Sequence, residues 1–253
     1  MPEAMTMSST TVADAHDASR ALEGRTVLIV GAHGALGQVA ARAAAAAGAA
    51  VVLLGRKVPK LNRVYDAIVR EGGKALLYPL DLEGATPDDY AELAARIESG
   101  AGRLDGVLHC AADFPGLTPL ENTDPGAFAR ALHVNLTARW WLTQACLPLL
   151  RRAPDSAVVF AIDDSAGRGG AYWGGYGVAQ SGLTTLVSML HAELANSPVR
   201  VSGLAPGPMR TPLRARAFVE EGDVAREPAE FGPACVHLLS PAGIERRGGV
   251  WSP

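Results

Sequence analysis

The feature that most constrains this chain is Thr26-Val27-Leu28-Ile29-Val30, which runs into Gly31, Gly34 and Gly37 and then into an alanine-rich segment, Val39 to Ala47. A short apolar run rich in β-branched residues, entered from Glu23-Gly24-Arg25, reads as a buried strand. Alanine has the best intrinsic helix propensity, so the segment beyond the glycines reads as a helix, with Gly48 as its C-terminal stop. The glycines allow a sharp turn and leave room for a diphosphate to approach the amides at the helix N-terminus, where the macrodipole favours negative charge. A second apolar strand, Ala50 to Leu54, ends in Gly55-Arg56-Lys57, where a βαβ unit presents its second strand to an adenosine ribose. The chain opens as a dinucleotide-binding unit.

The same alternation continues. Lys60 to Arg70 has helical spacing and stops at Gly72-Gly73; Ala75 to Leu80 is a third strand, ending in Asp81-Leu82. Thr86 as N-cap and Pro87 at the first helical position start a helix to Ile97, and Leu104 to Cys110 is a fourth strand leading into Ala111-Ala112-Asp113. A long helix from Pro125 to Leu150 carries Asn135 inside it. Ala157 to Ile162 is a fifth strand with Asp163-Asp164-Ser165 at its carboxyl end, and a glycine-rich loop, Gly167 to Gly175, leads to Tyr176 at the head of a second long helix ending near Asn196. Val199 to Leu204 is a sixth strand, closed by Ala205-Pro206-Gly207-Pro208. Arg210 to Glu227 is charged and aperiodic, which suits a flap; Pro233 to Leu239 is a last helix and Gly248 to Trp251 a seventh strand. Strands alternating with helices predict an α/β fold of the Rossmann type, a doubly wound parallel sheet of about seven strands in three α/β/α layers. Ligands on such sheets bind beyond the carboxyl ends of the strands, so Gly31 to Gly37, Arg56, Asp81 and Cys110 to Ala112 are expected to line one crevice.

Length and composition narrow the class. A chain of 253 residues, 48% hydrophobic and 19% charged, buries one sizeable core, so residues 21–253 are expected to form a single domain after a disordered extension, residues 1–20, that offers little to bury. A net charge of −3 gives no electrostatic case for nucleic acid or a membrane surface. No apolar run approaches the ~20 residues of a membrane span, and Met1 to Arg20 lacks the apolar stretch of a secretion signal. Cys110, Cys146 and Cys235 are odd in number and lack metal-ligand spacing, which fits reduced thiols in a cytoplasmic protein with no metal. No acidic residue follows the second strand to take a ribose 2′-hydroxyl, while Arg56 suits a 2′-phosphate; this favours NADP over NAD.

The order of these parts resembles the short-chain dehydrogenase/reductase family over nearly the whole chain, from Leu22 to Val250. Gly31-Ala32-His33-Gly34-Ala35-Leu36-Gly37 is similar to the family's T-G-x-x-x-G-x-G, with Val30 for the threonine and the middle glycine one place early. Asp81-Leu82 matches the acidic-aliphatic pair that holds the adenine. Cys110-Ala111-Ala112 stands in the N-N-A-G segment, Asn135 matches the helix asparagine that supports a proton-relay water, and Pro206-Gly207 with Thr211 matches the segment on the nicotinamide side. The resemblance implies a homodimer or homotetramer paired through the two long helices, and a small carbonyl or alcohol substrate.

The catalytic positions depart from the family. Its Tyr-x-x-x-Lys is here Tyr176-Gly177-Val178-Ala179-Gln180, and counting back to the family's serine reaches Asp163, with Asp164 beside it and Ser165 two places late. The resemblance therefore implies Tyr176 as proton donor, supported by Asn135, with Asp163 and Gln180 in the serine and lysine positions. An ionised Asp163 would raise the tyrosine pKa, whereas a protonated one would donate to the substrate oxygen. Arg168 is a candidate to replace the missing positive charge near Tyr176, against the usual reading of a loop arginine as facing water. Two functions fit: an NADP-dependent oxidoreductase with altered catalytic residues, or a nucleotide-binding or scaffold protein that keeps the fold and has lost the chemistry.

Overall fold

The computed structural model describes residues 20–167, 169–218 and 224–253. All but the last residue of the expected N-terminal extension, Arg168, and part of the expected flap lie outside the described residues. Seven parallel strands form one sheet in the order β3-β2-β1-β4-β5-β6-β7. They are β1 (Thr26–Val30), β2 (Ala50–Gly55), β3 (Lys74–Pro79), β4 (Gly106–His109), β5 (Ser156–Ala161), β6 (Val199–Leu204) and β7 (Val250–Trp251). Strand β1 sits at the switch point, pairing Val27–Val30 with Val51–Leu54 of β2 on one side and with Gly106–His109 of β4 on the other. The chain winds outward in both directions from there, so the loops after β1 and β4 diverge and leave a crevice between them.

Because helices cover both faces, the central strands β1 and β2 are near-continuous apolar runs instead of alternating. Leu28 and Val30 point into one core with Tyr90 and Leu93 of α3 (Pro87–Ala101), Leu142 of α5 (Ala138–Leu150) and Leu183 and Val187 of α7 (Gly174–Glu193). Val27 and Ile29 point into the other, against Ala40 and Ala41 of α1 (Ala35–Ala46), Leu61 and Val64 of α2 (Val58–Arg70) and Leu238 of α8 (Gly232–Leu239). Helix α3 begins as its sequence predicts: Thr86 accepts from the Asp89 amide and Asp89 accepts from the Thr86 amide, with Pro87 at the first position.

The expected helix from Pro125 to Leu150 is one rod with a defect. It runs as α4 (Pro125–Leu132), a π turn (His133–Thr137) and α5. A π turn inserts an extra residue into the helical ladder, and here it is centred on Asn135. A four-residue turn, α6 (Asp164–Gly167), follows β5. The other expected elements are present with ends shifted by a few residues.

Candidate active site

A cavity of about 440 Å³ lies over the carboxyl ends of the central strands. From the β1 turn it is lined by Gly31, His33, Gly34, Ala35 and Leu36; Arg56 closes β2, Asp81 and Leu82 follow β3, and Cys110, Ala111 and Ala112 follow β4. Asp163, Tyr176 and Gln180 line it from β5 and α7, and Pro206, Gly207 and Thr211 from the β6 loop. The topology thus brings together nearly every residue singled out in the sequence.

Two of them are not in the lining. Gly37 sits behind the turn, where a β-carbon would collide with the Gly31 carbonyl; it lets the first turn of α1 pack against the glycine turn and does not line the cavity. Asn135 is fully buried. Its Oδ1 accepts from the Asp113 amide at 2.9 Å, and its Nδ2 donates to the carbonyls of Asp113 and Ala131, each at 2.8 Å. The side chain is thereby committed to holding the loop after β4 and has no donor left for a water.

Gly31 has φ of +81°, and a β-carbon there would lie 2.5 Å from Ala111 Cα. Glycine is therefore required where the β1 and β4 loops touch. Gly34, the N-cap of α1, supplies no side-chain hydrogen bond, and the first turn of α1 holds no acidic residue. The first-turn amides face the cavity uncapped, a site for an anion.

The Arg56 end is basic. Lys57 and Lys60 line it as well, and Lys60 is a residue that the sequence reading missed. Arg56 is itself about 42% exposed and stands 3.8 Å from Asp81, 3.9 Å from Glu83 and 4.0 Å from Asp113. Pairs this long and this exposed contribute little, so Arg56 can exchange them for a stronger anion. His33 is drawn below its ordinary pKa, first by burial and then by the Lys57, Lys60 and Arg56 charges; it is a neutral lining group at pH 7.

At the opposite end Tyr176 is buried among Phe114, Trp173 and Leu213. Its hydroxyl donates to Asp163 Oδ2 at 3.3 Å. Asp163 also accepts from Ser165 Oγ at 2.5 Å and from the Ala166 amide at 3.3 Å. Of the three residues considered for the serine position, Asp163 is the one hydrogen-bonded to the tyrosine. Burial, and next the Asp163 charge, push the Tyr176 phenol well above its ordinary pKa of 10. Gln180 does not offer its carbonyl to the cavity: Oε1 accepts from the Asp163 amide at 2.9 Å, so the glutamine holds the end of β5.

Arg139 also lines the cavity, and the sequence reading did not select it. It is 1% exposed and donates from Nη1 to the Ala161 carbonyl at 3.0 Å and from Nη2 to the Ala111 carbonyl. The signal available was a charge inside the apolar run Ala138 to Leu142, four residues after Asn135 and so on the same helix face. Cys110 lines the cavity too, but burial pushes its thiol up to about 12, which leaves it a poor nucleophile. All three cysteines are free. Among the described residues no group of His, Cys, Asp and Glu forms a metal site, and no helix is long and apolar enough to cross a membrane.

Comparison with known proteins bears on this arrangement. The model of the short chain dehydrogenase family matches residues 25–222. An uncharacterised oxidoreductase of Escherichia coli, YciK, is 33% identical over 229 residues, covering 90% of each chain. A solved short chain dehydrogenase from Pseudomonas syringae superposes with a TM-score of 0.88 at 39% identity, covering 92% of this chain and 95% of its own. Another from Shigella flexneri, complexed with NADP, has a TM-score of 0.88 at 32% identity, covering 92% of this chain and 98% of its own.

Proposed function

The chain belongs to the short-chain dehydrogenase family, and from that premise we propose that it is an NADP-dependent oxidoreductase that interconverts a carbonyl and an alcohol in the cavity between β1 and β4. One observation carries the reading: an uncapped helix N-terminus behind a glycine turn and a buried tyrosine hydroxyl open onto the same cavity. NADPH, when bound, supplies hydride to the carbonyl carbon.

The residues present fit that cofactor. The amides of Ala35 and Leu36 at the head of α1 suit its diphosphate. Arg56, Lys57 and Lys60 suit a 2′-phosphate, with His33 between them and the turn. Asp81 and Leu82 suit the adenine, and Cys110 to Ala112 with Pro206, Gly207 and Thr211 the nicotinamide half. At the far end Tyr176 gives its phenolic proton to the substrate oxygen while the carbon gains hydride, leaving an alcohol and a phenolate that water reprotonates. Asp163 competes for that proton, and Asn135 shapes the β4 loop from below. Without a lysine on α7 the phenolate is scarce, so reduction suffers less than oxidation. Phe114 and Leu213 beside Tyr176 favour a small carbonyl compound with an apolar flank.

We read the protein as a cytoplasmic homodimer or homotetramer paired through α4–α5 and α7. Of the apolar side chains on these helices, Leu142 and Leu190 are buried within the single chain, while Trp140 and Met189 stand 40% and 54% exposed and remain to be covered.

A fluorescence titration with NADPH followed by turnover over a panel of ketones and aldehydes tests the function. NADPH binding with slow reduction is expected. Binding with no turnover would favour the second reading, a nucleotide-binding protein without chemistry, for which Gln180 in the lysine position speaks. No NADPH binding would overturn both.

A further inference from the structure

Among the described residues Arg139 and Arg200 are buried and Arg25 is half-buried, and they differ in how their charge is met. Arg200 and Arg25 share the Asp155 carboxylate, with Arg200 Nε 2.7 Å from Oδ1. Arg139 has no carboxylate partner among the described residues. Its two terminal nitrogens are spent on the Ala161 and Ala111 carbonyls, and its Nε is buried with no hydrogen-bond partner. Taking a guanidinium out of water without an anion costs several kcal/mol. A neutral side chain would hold two carbonyls at less cost, so the charge itself calls for an explanation.

The carbonyls that hold it are the last of β5 and one just beyond β4, which place the guanidinium in the wall of the cavity that Tyr176 also lines. Among the described residues, charges act on Tyr176 from two elements, Asp163 from the end of β5 and Arg139 from α5, while Arg214 and Arg216 line the same cavity from the loop after β6. Phe114 and Trp173 pack on the phenol as uncharged rings. Asp163 holds the proton on; α7 itself, with Gln180, carries no cation there. We propose that Arg139 is a positioning residue for proton transfer, supplying from the neighbouring helix the fixed positive charge against which Tyr176 gives up and regains its proton.

The chemistry agrees with this. Burial draws the Arg139 guanidinium down only to about 10, so it is charged at neutral pH. Among the described residues, Arg139 is the group whose charge favours loss of the Tyr176 proton. The charge is built in by the fold, in place of a lysine one turn along from the tyrosine. The inference rests on the oxidoreductase reading for its purpose, and its test is independent of turnover.

The protein is labelled with 3,5-difluorotyrosine, whose phenol ionises well below that of tyrosine, and titrated by fluorine NMR without cofactor. The Tyr176 resonance is the one missing from Tyr176→Phe. In Arg139→Met its midpoint is expected to move up by about one pH unit or more, the range for a lost neighbouring opposite charge, and in Arg139→Lys to stay near the parent. Gln180→Lys added to Arg139→Met should bring it back down. In parallel, kcat for carbonyl reduction should fall roughly tenfold in Arg139→Met with the NADPH dissociation constant little changed. A folded Arg139→Met with an unmoved midpoint overturns the proposal. Should that variant not fold, Arg139→Gln replaces it; if neither neutral variant folds while Arg139→Lys does, the residue is a structural clamp and the proposal is overturned. If NADPH does not bind the parent, the functional reading fails while the titration still reports on Arg139.

Discussion

Replacing Asp163 by Asn should make the protein faster. In the native site the Tyr176 hydroxyl is 3.3 Å from an Asp163 oxygen. At an effective dielectric of about 20, two unit charges at that separation repel by about 5 kcal/mol. When the proton is half transferred to substrate, roughly half of this opposes the step, or ~2.5 kcal/mol. Asp163 is partly open to solvent, and Arg139 offsets some of the repulsion, so a realised gain of about 1.4 kcal/mol is reasonable, which is tenfold in rate. Asparagine keeps an acceptor for the Ser165 hydroxyl and the Ala166 amide, so the turn after β5 should survive. The assay is the initial rate of NADPH consumption with the best ketone or aldehyde of a panel, and the reverse rate with the matching alcohol. Oxidation should gain more than reduction, because there the whole phenolate charge must exist before the alcohol proton is taken. A drop of tenfold or more in both directions, with thermal stability unchanged, would refute the reasoning: Asp163 would then be orienting substrate.

Other consequences follow from single contacts. Arg56→Ala should weaken NADPH about tenfold and leave NADH nearly unchanged, since a charge-assisted bond is lost while Lys57 and Lys60 remain; equal losses for both in a binding titration would remove the 2′-phosphate assignment. Gly31→Ala forces a β-carbon towards Ala111 from a φ of +81°, at a cost of roughly 1–3 kcal/mol, so its melting temperature should fall by about 2–12 °C and NADPH binding should go with it. His109 is buried between Phe160 and Thr143, and burial keeps its pKa well below the ordinary 6.5. Thr143 spends its proton on the Arg139 carbonyl, so His109 donates from Nε2 to Thr143 and stays neutral. Below about pH 6.5 the unfolded chain takes up a proton that native His109 refuses, so stability should decline by up to ~1.4 kcal/mol per pH unit across the window down to the native value. Above pH 6.5 this group contributes no slope, and denaturant melts of His109→Gln against the parent at several pH values would test it. Light scattering at micromolar concentration should give a dimer or tetramer, and Trp140→Glu with Met189→Glu should release monomer; a monomeric parent would sink the assembly.

How much of this was legible in the chain depends on the range over which each feature is decided. The β1 strand, its glycine turn and α1 are local: β-branched residues, positive-φ glycines and alanines act within a dozen residues, and they placed the strand, turn and helix that border the cavity. Thr86, Pro87 and Asp89 likewise specify their own helix start. The order of strands and helices then required a doubly wound sheet, because parallel neighbours need right-handed crossovers, and that put the selected loops over one crevice. Sequence alone therefore determined the fold, the place of the cavity and about half of its lining. It did not determine which way a polar side chain points once the layers close. Asn135 turns to the Asp113 backbone and Gln180 to the Asp163 amide, because unpaired backbone groups at strand ends are costly and take the nearest partner. Arg56 finds three carboxylates on two separate loops, Asp81 and Glu83 after β3 and Asp113 after β4. Arg139 joins carbonyls 28 and 22 residues away, at the ends of strands β4 and β5 that neighbour each other only in the sheet. No periodicity encodes that meeting, and only the closed three-layer structure brings its charge to the tyrosine.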